Sequence, residues 1–96
     1  MSNNIMNFDR QEDLLLIQRQ ALSRLFGNCV EAPRQAGGRS IEEAAHLAGM
    51  EASEWSAVEE GYVPAPSQLR PMADSLEIGH DKLAVLATIC RGAWEL

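Results

Sequence analysis

Two positions near the middle of the chain, Ala45 and Gly49, constrain the fold more than any others. Alanine at the first is small enough for a second helix to cross over it, and glycine at the second permits a sharp turn because it has no Cβ to clash. The spacing predicts two short helices joined by a tight turn. The other apolar residues of this pattern should lie on the inward side of the two helices. These are Ala44, Ala48, Met50, Trp55 and Val58.

Capping signals indicate where helices begin. Ser40 and Glu43 have the capping-box spacing, in which side chains satisfy the free backbone amides of a helix start. The first helix of the motif should therefore begin beside Ser40. Asp9 and Glu12 have the same spacing, so an N-terminal helix should begin near Asp9.

Prolines and glycines indicate where helices end. Pro33 lies where the N-terminal helix would continue, and its ring clashes with the carbonyl of Cys29, so we expect a kink or break there. Gly37 and Gly38 then end the segment. Pro71 interrupts a later helical pattern, which is tolerable only if it falls in the first turn of that helix.

Composition favours one helical domain. Ninety-six residues provide a single core. The apolar share of 46% contains few aromatics, which favours helices over strands. No run approaches the roughly 18 apolar residues of a membrane span, and residues 1–10 lack the order of a signal peptide. We therefore expect an all-α, cytoplasmic protein that does not enter a membrane.

Two apolar stripes run along the N-terminal helix, whereas a one-sided surface helix carries one. The first consists of Leu14, Ile17, Ala21 and Leu25, and the second of Leu15, Leu22, Phe26 and Cys29. Both faces should be buried, against the chain's own domain or a partner. We expect the segments Asp9–Phe26 and Asp81–Trp94 to pack together and leave an apolar strip that forms a homodimer. The candidate dimer contacts are Leu15, Leu22, Leu86 and Trp94.

Residues that often carry chemistry are scattered. Cys29 and Cys90 are isolated, and neither His46 nor His80 stands at metal-ligand spacing to them. Both cysteines are interpreted as reduced core residues. No catalytic arrangement of side chains or phosphate-binding loop is present, so we expect neither an enzyme nor a cofactor or metal site.

Residues 27–61, GNCVEAPRQAGGRSIEEAAHLAGMEASEWSAVEEG, resemble without gaps the helix-turn-helix domains of the XRE (phage Cro/repressor-type, lambda-repressor-like) family. Shared features include Arg34 late in the first helix, Gly38 before the second, and Gly61 after the third. Residues 66–83 are similar to the family's fourth helix and the start of its fifth. The resemblance implies a five-helix, repressor-like domain: an N-terminal helical extension over 1–26, a helix-turn-helix core over 27–83 and a C-terminal helix over 84–96.

The resemblance also implies a dimeric DNA-binding regulator of transcription, with a third helix over Ala52–Glu60 in the major groove. By family position, Ser40 and Ile41 would contact phosphates. The base edges would be contacted by Ala52, Ser53, Ser56 and Ala57.

Charge opposes that role. The net charge is −6, and the excess lies between Gly27 and Ile78, where nine acids face Arg34, Arg39 and Arg70. The acids are Glu31, Glu42, Glu43, Glu51, Glu54, Glu59, Glu60, Asp74 and Glu77. Because DNA affinity comes largely from neutralising phosphates, carboxylates around the third helix disfavour DNA as a partner. The alternative is a helix-turn-helix-derived module that has lost DNA binding and associates with another protein.

Overall fold

The computed structural model describes the backbone of residues 2–95 and the side chains of residues 13–92. Over this range the chain forms five α-helices and no strands, which confirms the all-α expectation. The helices are α1 (Ser2–Ala36), α2 (Ile41–Leu47), α3 (Ala52–Glu59), α4 (Pro66–Leu76) and α5 (His80–Glu95). The repressor-like arrangement stays a prediction.

Helix α1 is longer than its capping signals indicated. It begins at Ser2 rather than near Asp9, and it continues through Pro33 to Ala36, so the expected break is wrong. The helix tolerates Pro33 because only one backbone donor is lost close to its end, and the acceptor left behind belongs to the exposed residue Cys29. The predicted extension and the first helix of the predicted core are therefore one continuous element.

The end of α1 follows the glycine signal. Gly38 has a φ of +70°, a left-handed conformation that favours glycine. The Arg39 N–H donates to the Arg34 carbonyl at 3.2 Å, and the Gly37 N–H donates to the Pro33 carbonyl at 3.0 Å. These bonds satisfy carbonyls that the last turn of a helix otherwise leaves free.

Helix α4 contains its second proline in the interior. Pro66 occupies the first helical position, so Pro71 lies five residues later, and the expectation that Pro71 falls in the first turn is wrong. Pro71 cannot donate to the carbonyl of Ser67, but Ser67 is exposed and water can replace that bond. Helix α4 ends at Leu76, and the capping residue Glu77 adopts the left-handed conformation with a φ of +57°.

The core lies where the four C-terminal helices meet the second half of α1. Its largest fully buried side chains include Trp55, Phe26, Met72, Val30 and Val58. As expected, the two terminal helices pack together: the thiol of Cys90 on α5 donates to the Leu22 carbonyl on α1 at 3.2 Å. Near the start of α5, Leu83 and Leu86 line one groove with Cys29, so α5 runs antiparallel to α1.

Helix α3 crosses α1 at Gly27. A Cβ built on Gly27 would lie 2.4 Å from the Glu59 carbonyl oxygen, closer than any side chain permits. A glycine inside a helix costs conformational entropy, and here it allows two backbones to touch. None of the helices in the described part of the chain is both long and apolar enough to cross a membrane.

Candidate interaction surfaces

The turn between α2 and α3 follows the sequence signals. Ser40 Oγ accepts from the Glu43 N–H at 3.1 Å, and Glu43 Oε1 accepts from the Ser40 N–H at 3.3 Å, so the capping box is present. Gly49 has a φ of +68°, and the Met50 N–H donates to the Ala45 carbonyl at 2.9 Å. A Cβ on Gly49 would meet nothing within 4 Å, so space does not require glycine here. The left-handed backbone conformation does.

The apolar residues of the motif lie on its inner side. Ala44, Ala45, Ala48, Trp55 and Val58 are buried, and Met50 is half-buried. Ser75 links α4 to α2, because its hydroxyl donates to the Ala44 carbonyl at 2.8 Å. The two short helices are therefore held by small residues and by α4.

The six residues that the resemblance predicted to contact DNA are poorly exposed. Ser53 is exposed, whereas Ala52, Ser56 and Ala57 are half-buried. The hydroxyl of Ser40 is engaged in the cap of α2, and half-buried Ile41 packs against the core. Among these six residues, only Ser53 combines a hydrogen-bonding side chain with an exposed position.

Arg34, Trp55 and Glu59 form a polar cluster where α1 meets α3. Arg34 Nε and Nη2 donate to the two Glu59 oxygens at 2.6 and 2.9 Å, and Trp55 Nε1 donates to Glu59 Oε2 at 2.6 Å. The Arg34 and Glu59 side chains are only 12% and 7% exposed. The hydrogen bond with Glu59 raises the pKa of Arg34 above its ordinary value, so the guanidinium stays charged.

This cluster changes the interpretation of the acidic face. Glu59 was expected among the carboxylates around the third helix, but it is buried and neutralised by Arg34. The exposed acids on α3 and at its two ends are Glu51, Glu54 and Glu60. Glu54 accepts from the Glu51 N–H at 3.1 Å and from Gln68 Nε2 at 3.2 Å, so it serves as a cap and a tie to α4.

The three arginines of the acidic segment do not offset these carboxylates on α3. Arg34 is paired with Glu59. Arg39 donates to the Ser75 carbonyl and lies 3.9 Å from Glu77, which directs it toward α4. Arg70 is exposed, but it belongs to α4. The exposed side of α3 therefore has a negative charge balance.

A groove of about 750 Å³ separates α1 from the loop that follows α3. Its wall includes Arg24 from α1, Glu60 and Tyr62 from the α3 end, and Arg91 from α5. Arg91 is already used to tie α5 to the loop, since it donates to the Pro64 carbonyl. With one carboxylate, Glu60, against two arginines, the lining of the groove has a charge balance of +1.

The two stripes of α1 differ in exposure. In the second stripe Phe26 is buried and Leu22 packs partly against the core, while Leu15 and Cys29 are exposed. The first stripe is exposed throughout its length; it consists of Leu14, Ile17, Ala21 and Leu25. Sequence reasoning identified both stripes but could not say which faces the domain.

The predicted dimer contacts are therefore not on one surface. Leu22 and Leu86 are half-buried in the packing of α1 against α5 within the chain, whereas Leu15 is exposed. The side chain of Trp94 lies outside the described residues. The expectation that both cysteines are core residues is wrong for Cys29, which is exposed on α1, and right for Cys90.

Burial raises the pKa of the Cys90 thiol. Among the residues whose side chains are described, no group of three or more histidine, cysteine, aspartate or glutamate residues could hold a metal ion. His46 is exposed, and His80 lies 3.8 Å from Asp81 at the start of α5.

Comparison with known proteins adds no family to this description. No protein-family model, curated protein or solved structure matches the chain.

Proposed function

We propose that the chain is a helix-turn-helix-type protein-interaction module that does not use α3 to bind DNA. The observation that carries the proposal is the charge of the exposed α3 side. Its acids Glu51 and Glu60 are exposed, while Arg34 is held by Glu59 and Arg39 by α4. A surface that approaches phosphates needs mobile cations, and each carboxylate placed there opposes binding.

The apolar surface supports association with protein. Large aliphatic side chains on α1 and α5 are exposed, including Leu14, Ile17, Leu25, Val85 and Ile89. Large apolar side chains left exposed in such number on a small domain favour association with another macromolecule. We place the protein in the cytoplasm, where reducing conditions keep an exposed thiol such as that of Cys29 free.

A second candidate function is a dimeric DNA-binding regulator of transcription. The turn geometry at Gly49 and the buried alanines beneath it favour this reading, because they suit two helices crossing at a fixed angle. Ser53 is then the residue placed to reach a phosphate or base edge. The DNA-binding candidate is weakened by the charge of α3, because none of its residues, Ala52–Glu59, is a lysine or an arginine.

Binding to duplex DNA of random sequence at low salt separates the two candidates. The module should leave the fluorescence anisotropy of a labelled duplex unchanged up to about 100 µM protein, a concentration at which ordinary non-specific binders are bound. The matched variant is Glu51→Lys with Glu60→Lys, which reverses charge at two exposed positions without touching the core. It should gain weak binding that disappears as salt is raised.

Binding by the unaltered chain would overturn the module proposal. If Ser53→Glu then weakened that binding at least about tenfold, the DNA-binding regulator would replace it. Binding that is indifferent to Ser53→Glu would exclude α3 as the reading helix and would overturn both candidates.

A further inference from the structure

The exposed stripe of α1 is narrow and regular. Leu14, Ile17, Ala21 and Leu25 fall within about 80° of one another around the helix axis, at about 100° per residue. The three large members are 57%, 58% and 48% exposed. This is the geometry of a helix seam that packs against one other helix.

The chain is elongated rather than compact. It has a radius of gyration of 16.0 Å and a long axis of 56 Å, against about 12.5 Å expected for the radius of a compact chain of this length. This elongation leaves the exposed stripe of α1 available to a partner.

The charges beside the stripe are self-complementary. Asp13 and Arg24 are both exposed, lie about 20° apart around α1, and flank the stripe on the side of Ile17. Arg24 has no acidic residue three or four positions away in the helix. Asp13 and Arg24 are separated by eleven residues, as are Leu14 and Leu25, so a two-fold axis near position 19 relates both pairs.

We propose that a second copy of this chain covers the stripe in antiparallel orientation, with Leu14 of one copy against Leu25 of the other. The same two-fold axis brings Asp13 of each copy to Arg24 of the other, so two opposite-charge pairs form along the Ile17 side of the seam. In a parallel pair the two copies would place their Asp13 and Arg24 side chains on opposite edges of the seam, so these charges would not meet. The inference rests on the proposed function and names the partner at that surface.

Sedimentation equilibrium with helical content checked by circular dichroism tests the seam. The unaltered chain should sediment at twice its mass of 10.6 kDa, and Leu14→Glu with Leu25→Glu should sediment as a monomer. The matched control is Leu16→Glu, a leucine 44% exposed on the same helix but about 160° from Leu14. It should leave the dimer intact.

Charge reversal tests the register. Arg24→Glu should weaken the dimer about tenfold, and adding Asp13→Arg to the same chain should restore it, because the two reversed charges again meet opposite signs. Failure of the second change to restore association would overturn the pairing of these residues.

Thiol crosslinking tests the orientation in a Cys29→Ser background. A short dimaleimide should join two copies through Gln18→Cys, which lies about 3 Å along the axis from its counterpart. Leu14→Cys should not react in this way, because its counterpart is about 15 Å away along the helix. Crosslinking through Leu14→Cys would overturn the antiparallel arrangement.

A monomeric unaltered chain, or a dimer insensitive to Leu14→Glu with Leu25→Glu, would overturn this inference alone. The DNA measurement decides the proposed function independently, since it reads the α3 side of the molecule and not the α1 seam.

Discussion

Both faces of α1 are apolar, but their surroundings differ. The inner face is packed against other helices, whereas the outer face is exposed. On the inner face Phe26 and Val30 are fully buried, and Gly27 touches the backbone of α3. On the outer face Leu14 and Leu25 are about half exposed and have neighbouring charges rather than close contacts. Tight backbone approaches and a buried ion pair mark the inner face, whereas aliphatic side chains with flanking charges mark the outer one.

The contrast between the faces should be largest in thiol reactivity. At a concentration that keeps the chain monomeric, exposed Cys29 should react with a thiol reagent like a free cysteine. Cys90 is buried and should react at least about a thousandfold more slowly, because it must wait for the fold to open. Cys29→Ser should remove the fast phase alone; two fast thiols would contradict the packing of α5 on α1.

The same thiol gives the sign of one pH effect. Burial raises the pKa of Cys90 above its ordinary value of 9.0, so the unfolded chain loses this proton at a lower pH than the folded chain. The contribution of Cys90 to the free energy of unfolding is therefore complete below pH 9.0 and decreases as the pH rises above it. Denaturant titrations of the chain and of Cys90→Ala should converge in their pH dependence below that value.

The free energy of unfolding should also separate the inner side of α3 from its outer side, with a smaller effect than the difference in thiol reactivity. Glu59→Ala should lower the free energy of unfolding by about 3 kcal/mol, since it leaves Arg34 and the Trp55 indole without their buried acceptor. The control, Glu60→Ala, removes an exposed neighbour and should change it by less than about 0.5 kcal/mol. Denaturant unfolding at one protein concentration measures both, and equal effects would show that the Arg34 cluster contributes nothing.

Two glycines should respond in opposite directions. Gly27→Ala should destabilise the fold by about 2 kcal/mol, because the new Cβ forces α1 away from the Glu59 carbonyl. Gly92→Ala in α5 should stabilise it by about 0.5 to 1 kcal/mol, since nothing lies within 4 Å of that Cβ and alanine favours a helix. A stabilising Gly27→Ala would mean that α3 does not cross α1 at this position.

Much of the local structure was predictable from short-range signals. The capping box at Ser40, the left-handed glycines at positions 38 and 49, and the buried register of Trp55 follow from residues within four or five positions of one another. Two local expectations were wrong, at Pro33 and Pro71, because a proline near an exposed carbonyl costs less than the same residue in a buried turn.

By itself, the sequence determined the helical class, the boundaries of the short helices and the presence of two apolar stripes on α1. Only the tertiary structure decided which stripe is covered, that Gly27 is a crossing point, and that Glu59 is neutralised rather than displayed. The reason is distance along the chain: Arg34 meets Glu59 across 25 positions and Cys90 meets Leu22 across 68. Capping depends on backbone hydrogen bonds between near neighbours, whereas the choice of a buried face depends on which distant helix arrives to cover it.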